Sequence, residues 1–530
     1  MSAEAIDFKV MARRAAGLPE DDRPEIEIRQ ELNAVTDEAM AAVAARDDLG
    51  VYVRGRMLVT VGRDGSTPDR WLRRPPGSPV IVPIEHARML AILDAAVAWV
   101  KFNARAKDTL PARPPDWVAQ QLLARLEWPF KYLEAVTENP TIREDGSILN
   151  TPGWDESTGL LYEPMPGVTW PAVPDRPTRG QMEAATGALL DPVADFPFVA
   201  GSDRSAYVAA VLSLLARHRI GGPVPMFTVR APTPATGKTL LADLIGLIGT
   251  GRVPPAMTMT YEGEELRKRV TSLAVAGTPL VLIDNLSGSI GSDTLAAALT
   301  ASEWEDRILG STQMVRVPLR TIWLATGNNL GFRRTLGRRV VPLDLDAGLE
   351  VPEDRTGFRY PDLLGHVREQ RPQLVAAALT ILRGFHVAGR PLHGGARMGS
   401  FEAWDDLVRS AVVWAGLDDP AGTEEGKGRG RVRAQGDDDT ETYGALLEAL
   451  TERYGDGTPF STADVIQRAR DNAELQTILD VAAASARGGG HATARSLGNT
   501  LREMVGRPIG GLILHRHKRT WSVHRTSDGT

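Results

Sequence analysis

The sequence predicts a multidomain α/β protein built around a parallel, doubly wound sheet. Three observations carry that expectation. At 530 residues the chain is long enough for three or four domains. Between Pro223 and Asp346, short β-branched runs alternate with helical segments, the pattern of strands joined by crossover helices. One of those runs, Met226-Phe-Thr-Val, leads through Ala231-Pro-Thr-Pro-Ala-Thr-Gly-Lys-Thr into a helix with Leu240, Leu241, Leu244, Ile245 and Ile248 on one face. That strand–loop–helix order is the context a phosphate-cradling loop requires.

The elements divide the chain as follows. Residues 1–90 read as an N-terminal α+β region, with an amphipathic stretch from Glu25 to Ala45 and a strand pair at Val51–Arg54 and Met57–Val61. Residues 91–200 read as a mostly helical region, with helical patterns around Ala87–Ala104 and Trp117–Leu126, although 139–180 is rich in Pro, Gly and Asp and fits short strands and turns. The α/β core occupies 201–350, and a helical subdomain follows over 351–419. The stretch 420–440 has almost no large apolar residue and predicts a flexible linker. A compact C-terminal segment fills 441–530, and no internal repeat is found.

Composition removes several classes of function. With 42% hydrophobic and 24% charged residues the chain is globular rather than disordered. The absence of cysteine excludes disulfides, thiolate nucleophiles, iron–sulfur clusters and cysteine-based zinc sites. The basic residues are 8 Lys against 53 Arg, beside 52 Gly and 36 Pro, a bias of high-GC codon usage rather than a sign of phosphate binding. A net charge of -6 means the whole is no polycation. No apolar run reaches the roughly 18 residues of a membrane helix, and the first residues lack a hydrophobic signal core, so a cytoplasmic protein with no membrane partner is expected. No HExxH, G-x-S-x-G or paired-histidine spacing appears, which leaves metalloenzyme, protease and esterase readings without support.

The chemistry concentrates in the core. Pro232, Thr233, Pro234, Ala235, Thr236, Gly237, Lys238, Thr239 and Leu240 form the expected cradle for ATP, where backbone N–H groups and the helix dipole favour an anion. Lys238 would reach the β- and γ-phosphates and the Thr239 hydroxyl would hold Mg²⁺. The consensus places Gly where this chain has Pro232, so only the Gly237-Lys238-Thr239 end is intact. Forty-six residues after Lys238, the run Pro279-Leu-Val-Leu-Ile delivers Asp284 to a strand end, placed to hold Mg²⁺ through a water. Asn285, where related ATPases often carry a catalytic Glu, can position a water but cannot take its proton, and Glu303 and Glu305 are fallback bases. A third strand, Arg320-Thr-Ile-Trp-Leu-Ala-Thr-Gly, ends in Asn328 and Asn329, with Asn328 the expected polar sensor. Arg338 and Arg339 follow at the position of a trans-acting arginine finger. Val340-Val-Pro-Leu-Asp344-Leu-Asp346 imitates a two-carboxylate metal motif but reads as the last strand of the core.

The set Gly-Lys-Thr, Leu-Ile-Asp-Asn, Ala-Thr-Gly-Asn-Asn and Arg-Arg resembles the AAA+ ATPases of helicase superfamily 3, above all the primase-associated replicative helicases of phages, plasmids and integrated elements. The match covers 200–345 and extends loosely upstream, through Asp145-Gly-Ser-Ile-Leu, Gly153-Trp-Asp-Glu-Ser-Thr-Gly-Leu and Asp195-Phe-Pro-Phe. The resemblance implies an AAA+ P-loop core and a homo-oligomeric ring of hexamer size. It further implies 3′→5′ movement on single-stranded and forked DNA in a bacterial host cytoplasm. A zinc-ribbon primase is absent from a chain without cysteine, so a separate primase would be the partner. In that superfamily a hairpin between the acidic and sensor strands points into the ring channel. Here Arg307 to Pro318 fits a hairpin turning at Gly310-Ser311, with Arg316 either a phosphate contact or a surface or subunit-interface arginine.

The C-terminal segment adds a charge argument. Ser461-Thr-Ala-Asp464 is a capping pattern, Thr493–Val505 reads as a helix ended by Gly506, and Leu512-Ile-Leu, His515–Arg519 and Trp521-Ser-Val read as a basic-tipped hairpin. Helices followed by such a hairpin predict a winged helix. From Arg487 to Arg525 there are 7 Arg and 1 Lys against Glu503, a balance of +7 that leaves the remainder near -13 (-6 minus 7). Arg495, Arg502, Arg516, Lys518 and Arg519 are the expected DNA contacts, with a charged protein-docking module as the alternative. The reading is an ATP hydrolase and DNA helicase, against an initiator or loader ATPase that remodels origin DNA without processive unwinding.

Overall fold

The computed structural model describes residues 22–65, 72–260, 262–307, 314–332, 334–424, 426–483 and 491–526. Its first unit comprises β1 (Glu25–Glu27), α1 (Leu32–Ala44), β2 (Tyr52–Arg54), β3 (Met57–Arg63), β4 (Leu72–Arg73), β5 (Pro79–Pro83), α2 (His86–Ala96), β6 (Ala98–Asn103), β7 (Asp108–Pro111) and α3 (Asp116–Ala124). Val35, Ala39, Met89, Leu93, Trp99, Val118 and Leu122 close one core that extends past residue 90. The expected boundary at 90 and the single helical pattern over Ala87–Ala104 are therefore corrected. Val97 turns extended, and Trp99, Val100 and Phe102 continue as β6, because aromatic and β-branched residues suit a half-buried strand. Residues 91–200 are not mostly helical either. β8 (Ala135–Thr137), β9 (Thr141–Ile142), β10 (Ile148–Leu149), β11 (Gly153–Asp155) and β12 (Leu160–Tyr162) precede α4 (Arg179–Leu190), and the short strands and turns read over 139–180 are present.

The central body starts at α5 (Gly201–Leu215) and continues through β13 (Met226–Ala231), α6 (Lys238–Thr250), β14 (Ala256–Met257), α7 (Gly263–Val275), β15 (Leu280–Ile290) and α8 (Asp293–Ala298). A hairpin of β16 (Glu303–Arg307) and β17 (Met314–Pro318) interrupts it before β18 (Ile322–Phe332), α9 (Arg334–Gly337) and β19 (Val340–Asp344). Five strands pair in parallel in the order β19-β13-β18-β15-β14, and β4 of the first unit adds antiparallel to the far edge. Strand periodicity decides the packing. Phe227, Val229, Leu280, Leu282, Ile322, Leu324, Val341 and Leu343 face one layer of helices, while Val281, Ile283, Trp323, Ala325 and Val340 face the other. The first layer holds α5, α6 and α10 (Leu363–Val387), together with a helix over 402–414 whose middle turn, Asp405–Arg409, is π. Trp404 of that helix lies edge-on to Phe227 and donates to Ser213 Oγ at 2.8 Å, so the 351–419 helices form a layer of the core.

Arg54, the last residue of β2, joins the first unit to this body. Its buried guanidinium donates to the carbonyls of Leu133, Ala274 and Pro318 at 3.3, 3.0 and 3.2 Å, and burial lowers its pKa. Each carbonyl belongs to a different segment, so one cation ties three backbones.

The linker expected over 420–440 is a second correction, because α11 (Gly428–Tyr454) runs through it. The start of α11 is held by charge. Arg431 pairs with buried Asp203 and, through Nε at 2.6 Å, with Asp344, which also receives Arg230 at 2.6 Å and 2.8 Å. The Asp344 amide donates to Asp203 at 3.1 Å, and Val432 enters the core beside Leu336. A polar, glycine-rich stretch becomes helical here because buried Asp203 and half-buried Asp344 wait for Arg431, a tertiary cause that composition does not display. The far end of α11 supplies Leu446, Leu447 and Leu450 to a separate C-terminal core. There α12 (Thr462–Ala469), α13 (Ala473–Ala483) and α14 (Ala494–Met504) precede the antiparallel sheet β20 (Pro508–Ile509), β21 (Leu512–Arg516) and β22 (Trp521–Arg525). Ser461 caps α12 as its sequence predicts, and Thr493 caps α14 in the same way. Among the described residues no helix is long and apolar enough to cross a membrane.

Burial, and next the charge of Asp344, push the Asp203 carboxyl up to about 6 from 3.8 despite Arg431. An acid held above its unfolded pKa contributes stability that is present below the unfolded value and lost as pH rises through the folded one. The melting temperature of the wild type relative to Asp203→Asn is therefore expected to fall between pH 4 and pH 7. Thermal melts of both proteins across that range check the sign, and a difference that rises with pH contradicts it.

Candidate functional site

β13 ends buried, and the chain leaves it through Pro232, Thr233, Pro234, Ala235 and Thr236 to Gly237, the N-cap of α6. Two positive φ angles shape this loop, +56° at Ala235 and +93° at Gly237. At Gly237 a side chain would also meet the Phe196 ring 3.2 Å from its Cβ, so only glycine suits both conformation and space. Thr236 Oγ1 donates to the Thr233 carbonyl at 2.7 Å, and Lys238 Nζ donates to the same carbonyl at 3.0 Å. Burial lowers the Lys238 pKa, and the charge of Asp284 opposes that shift. Pro232 and Pro234 have no N–H to offer, so the amides of Thr233 and Ala235–Leu240 are the donors such a loop can present.

β15 delivers Asp284 beside this loop. The ladder between β15 and β18 breaks between Ile283 and Leu286, so Asp284 and Asn285 together face Thr326. Asn285 takes φ +55°, a left-handed conformation that asparagine tolerates better than most residues, and its side chain is exposed. Its amide donates to Thr326 Oγ1 at 2.9 Å, and the Thr326 hydroxyl donates to Asp284 Oδ1. Thr239 Oγ1, from the start of α6, lies 3.4 Å from the same carboxylate oxygen. One turn further along α6, Asp243 is pushed up to about 6 by burial and then by the charge of Asp284.

β18 runs between the loop-bearing strand and the acid-bearing strand, and its Asn328 stands in register with Ala231 on one side and Ser287 on the other. Asn328 Oδ1 is buried and has no hydrogen-bond partner among the described residues. Such an orphaned acceptor is a site for a missing donor. Lys238, Thr239, Asp284, Asn285 and Asn328 are thus brought together level with the end of β13, although β15 and β18 do not end at Asp284 and Asn328 as expected but run on, paired, to Ile290 and Phe332. Beside Gly237 and Leu240 opens a cavity of about 450 Å³, walled by Phe196, Arg355, Phe358 and Tyr360. Tyr360 is fixed by a hydrogen bond to Asp191 and stacks on His366 at 3.8 Å.

Other predicted residues lie elsewhere. Arg338 and Arg339 sit at the opposite rim, where the Met226 amide donates to the Arg339 carbonyl at 3.0 Å and Arg429 donates to that of Arg338 at 2.9 Å. The length of β13, roughly 17 Å at about 3.3 Å per residue, separates them from the loop of their own chain. Burial and the charge of exposed Arg338 lower the pKa of Arg339. Glu303 and Glu305, the fallback bases, are on the hairpin, where Glu303 accepts from Arg316 Nε at 2.9 Å and Glu305 stands opposite Arg316. Neither joins the groups around Asp284, which corrects that expectation. Arg316 is exposed and ion-paired rather than free, although a surface pair of this kind contributes only ~0–1 kcal/mol and exchanges readily. The hairpin turn at Gly310-Ser311 lies outside the described residues.

On the C-terminal module, Arg495 and Arg502 are exposed seven residues apart on one face of α14, with Arg502 donating to Asn499. Arg516, Lys518 and Arg519 are exposed at the turn between β21 and β22, and Arg516 lies over the Trp521 ring at 5.5 Å. His517 and His524 share the Ser522 hydroxyl.

Three features escaped the sequence reading. Asp243 is visible in principle, four residues after Thr239 on the same helical face. The aromatic wall was half visible, since Phe196 was noted but its partners 160 residues downstream were not. Thr326 reads as an ordinary strand former, and only the strand register reveals its contacts.

No protein-family model matches the chain, and no curated protein matches it. Among solved structures it is similar to the apo A form of the NrS-1 C-terminal region, at 10% identity and TM-score 0.34, over 79% of this chain and 92% of that one. It is also similar to SCCmec type IV Cch, described as an active helicase, at 9% identity and TM-score 0.31, over 85% and 98%. The JCV helicase aligns at 16% identity and TM-score 0.22, over 43% of this chain and 67% of that one.

Proposed function

We propose that the chain is an ATP-driven DNA helicase. In this reading it works as a homo-oligomeric AAA+ ring, a hexamer of the superfamily 3 kind, moving 3′→5′ on single-stranded DNA in the replication of a phage, plasmid or integrated element. One observation carries the nucleotide reading: the glycine-capped loop, its lysine, a hydroxyl, a carboxylate and a buried amide oxygen converge beyond the carboxyl end of β13, the side on which open α/β sheets bind ligands.

The residues present fit a Mg²⁺–ATP complex. Thr239 and, through water, Asp284 would hold the cation, whose charge offsets that of the phosphates. Lys238 exchanges its contact with the Thr233 carbonyl for phosphate oxygens, and the α6 amides complete the cradle. The apolar cavity beside Leu240 takes the nucleoside, with Phe196 and Tyr360 offering aromatic faces. Asn285 and Asn328 position water and the terminal phosphate rather than remove a proton. That assignment suits phosphoryl transfer, in which positioning and charge outweigh a strong base. Arg338 and Arg339, remote from their own loop, serve the site of a neighbouring copy in the ring. The C-terminal module, with helices and a basic-tipped hairpin, is read as a winged helix that grips DNA phosphates. The same arrangement would suit an initiator or loader, which the assay below distinguishes.

Wild-type chain is expected to hydrolyse ATP faster with single-stranded DNA and to displace a strand from a 3′-tailed duplex but not a 5′-tailed one, while Lys238→Ala abolishes both. Stimulation without displacement favours the loader, and hydrolysis indifferent to DNA rejects both readings. Mixing Arg338→Ala or Arg339→Ala with wild type should depress activity below simple dilution for whichever residue is the finger, as read by hydrolysis at varied mixing ratios. Replacing Arg516, Lys518 and Arg519 by Ala should weaken duplex binding and flatten its log–log salt dependence by about one unit per lost phosphate contact, measured by fluorescence anisotropy. Basal hydrolysis should be unchanged.

A further inference from the structure

The bulge at Asp284–Asn285 is closed from the neighbouring strand by one hydroxyl, and its proton has only one place to go. The Asn285 amide can only donate, so Thr326 Oγ1 accepts there at 2.9 Å. The single hydroxyl hydrogen is then left for Asp284 Oδ1, which as a carboxylate oxygen can only accept. Thr326 is 2% exposed, so water cannot replace it. The adjoining residue is adapted to the same feature: a Cβ on Gly327 would stand 2.4 Å from the Leu286 carbonyl, so β15 and β18 approach this closely only because position 327 is glycine.

From this geometry we propose that Thr326 is a positioning residue for the hydrolysis proposed above, on which this inference rests. It holds the cation-side carboxylate and the water-side asparagine in one fixed relation. Asp284 Oδ1 is approached by hydroxyls from two elements, Thr326 on β18 and Thr239 at the head of α6, so its orientation is set jointly by the sheet and the phosphate loop. Removing Thr326 frees the carboxylate to turn, and it strands the Asn285 amide inside a bulge that no ladder carbonyl serves. Groups that orient a metal's immediate partners act on activity in this way without touching substrate.

Thr326→Val keeps shape and strand preference and removes only the hydrogen-bonding oxygen, whereas Thr326→Ser keeps the oxygen and removes a methyl group. The valine variant is expected to lose about tenfold or more in kcat and to need several-fold more Mg²⁺ for half-maximal activity. Its affinity for a non-hydrolysable ATP analogue should change less than about threefold, because Lys238 and the α6 amides are untouched. The serine variant should stay within about threefold of wild type in all three readings. If the valine protein does not fold, Thr326→Cys against Thr326→Ser makes the same comparison, since a thiol is a weak donor. Equal kcat and Mg²⁺ dependence for wild type and valine, or an equal loss in serine and valine, overturns the role of Thr326. A wild type that neither binds the analogue nor hydrolyses ATP overturns instead the nucleotide reading beneath it.

Discussion

The central strands are largely apolar on both faces, and that constraint governs where this molecule can do chemistry. β13 is buried along its whole length, and its two polar side chains, Thr228 and the Asp344-paired Arg230, are buried with it, so groups open to a ligand gather where the strand leaves the core. Level with the end of β13, the chain places a phosphate-type loop, a carboxylate and an amide on the three adjacent strands β13, β15 and β18. Because β18 is the middle one, a group on it reaches both neighbours. Asn328 stands level with the start of the loop, and Thr326 stands level with the acid. The order of strands, more than any single residue, assembles the site.

Charge organises the rest. Arginine outnumbers lysine 53 to 8, and the structure uses the guanidinium as a multi-point connector inside the protein. Arg54 gathers carbonyls from three segments, Arg217 donates to carbonyls of Ile220, Leu319, Arg320 and Gly222, and Arg431 bridges buried Asp203 and half-buried Asp344. A lysine has one compact charge and could not span these sets. The arginine bias therefore has structural consequences even where it began as composition.

The core was legible because its signals are local. The apolar runs of β13, β15, β18 and β19 announce themselves, and Gly237-Lys238-Thr239 marks the loop despite Pro232. The imitation metal motif at Asp344 and Asp346 resolved as expected, with Asp344 closing β19 and paired to Arg230. What stayed hidden depends on distant partners. The helical character of 428–440 rests on Asp203 and Asp344, far upstream. Thr326 gains its meaning from a register shift on another strand. The break after Ala96 was missed because alanine-rich spacing runs smoothly into Trp99 and Phe102, and only the pairing of β6 with β1 and β7 decides against helix.

The same distinction bears on α11. A helix of 27 residues is a shaft of about 40 Å, rooted in the core by Arg431 and Val432 and ending inside the C-terminal module through Leu446 and Leu450. A tether would let the basic tip wander through a volume, but a shaft fixes its reach and also its rotational phase. Each residue added to or removed from the shaft would change the reach by about 1.5 Å and swing the tip by about 100°, so the face it shows to a partner depends on residue count as much as on residue type.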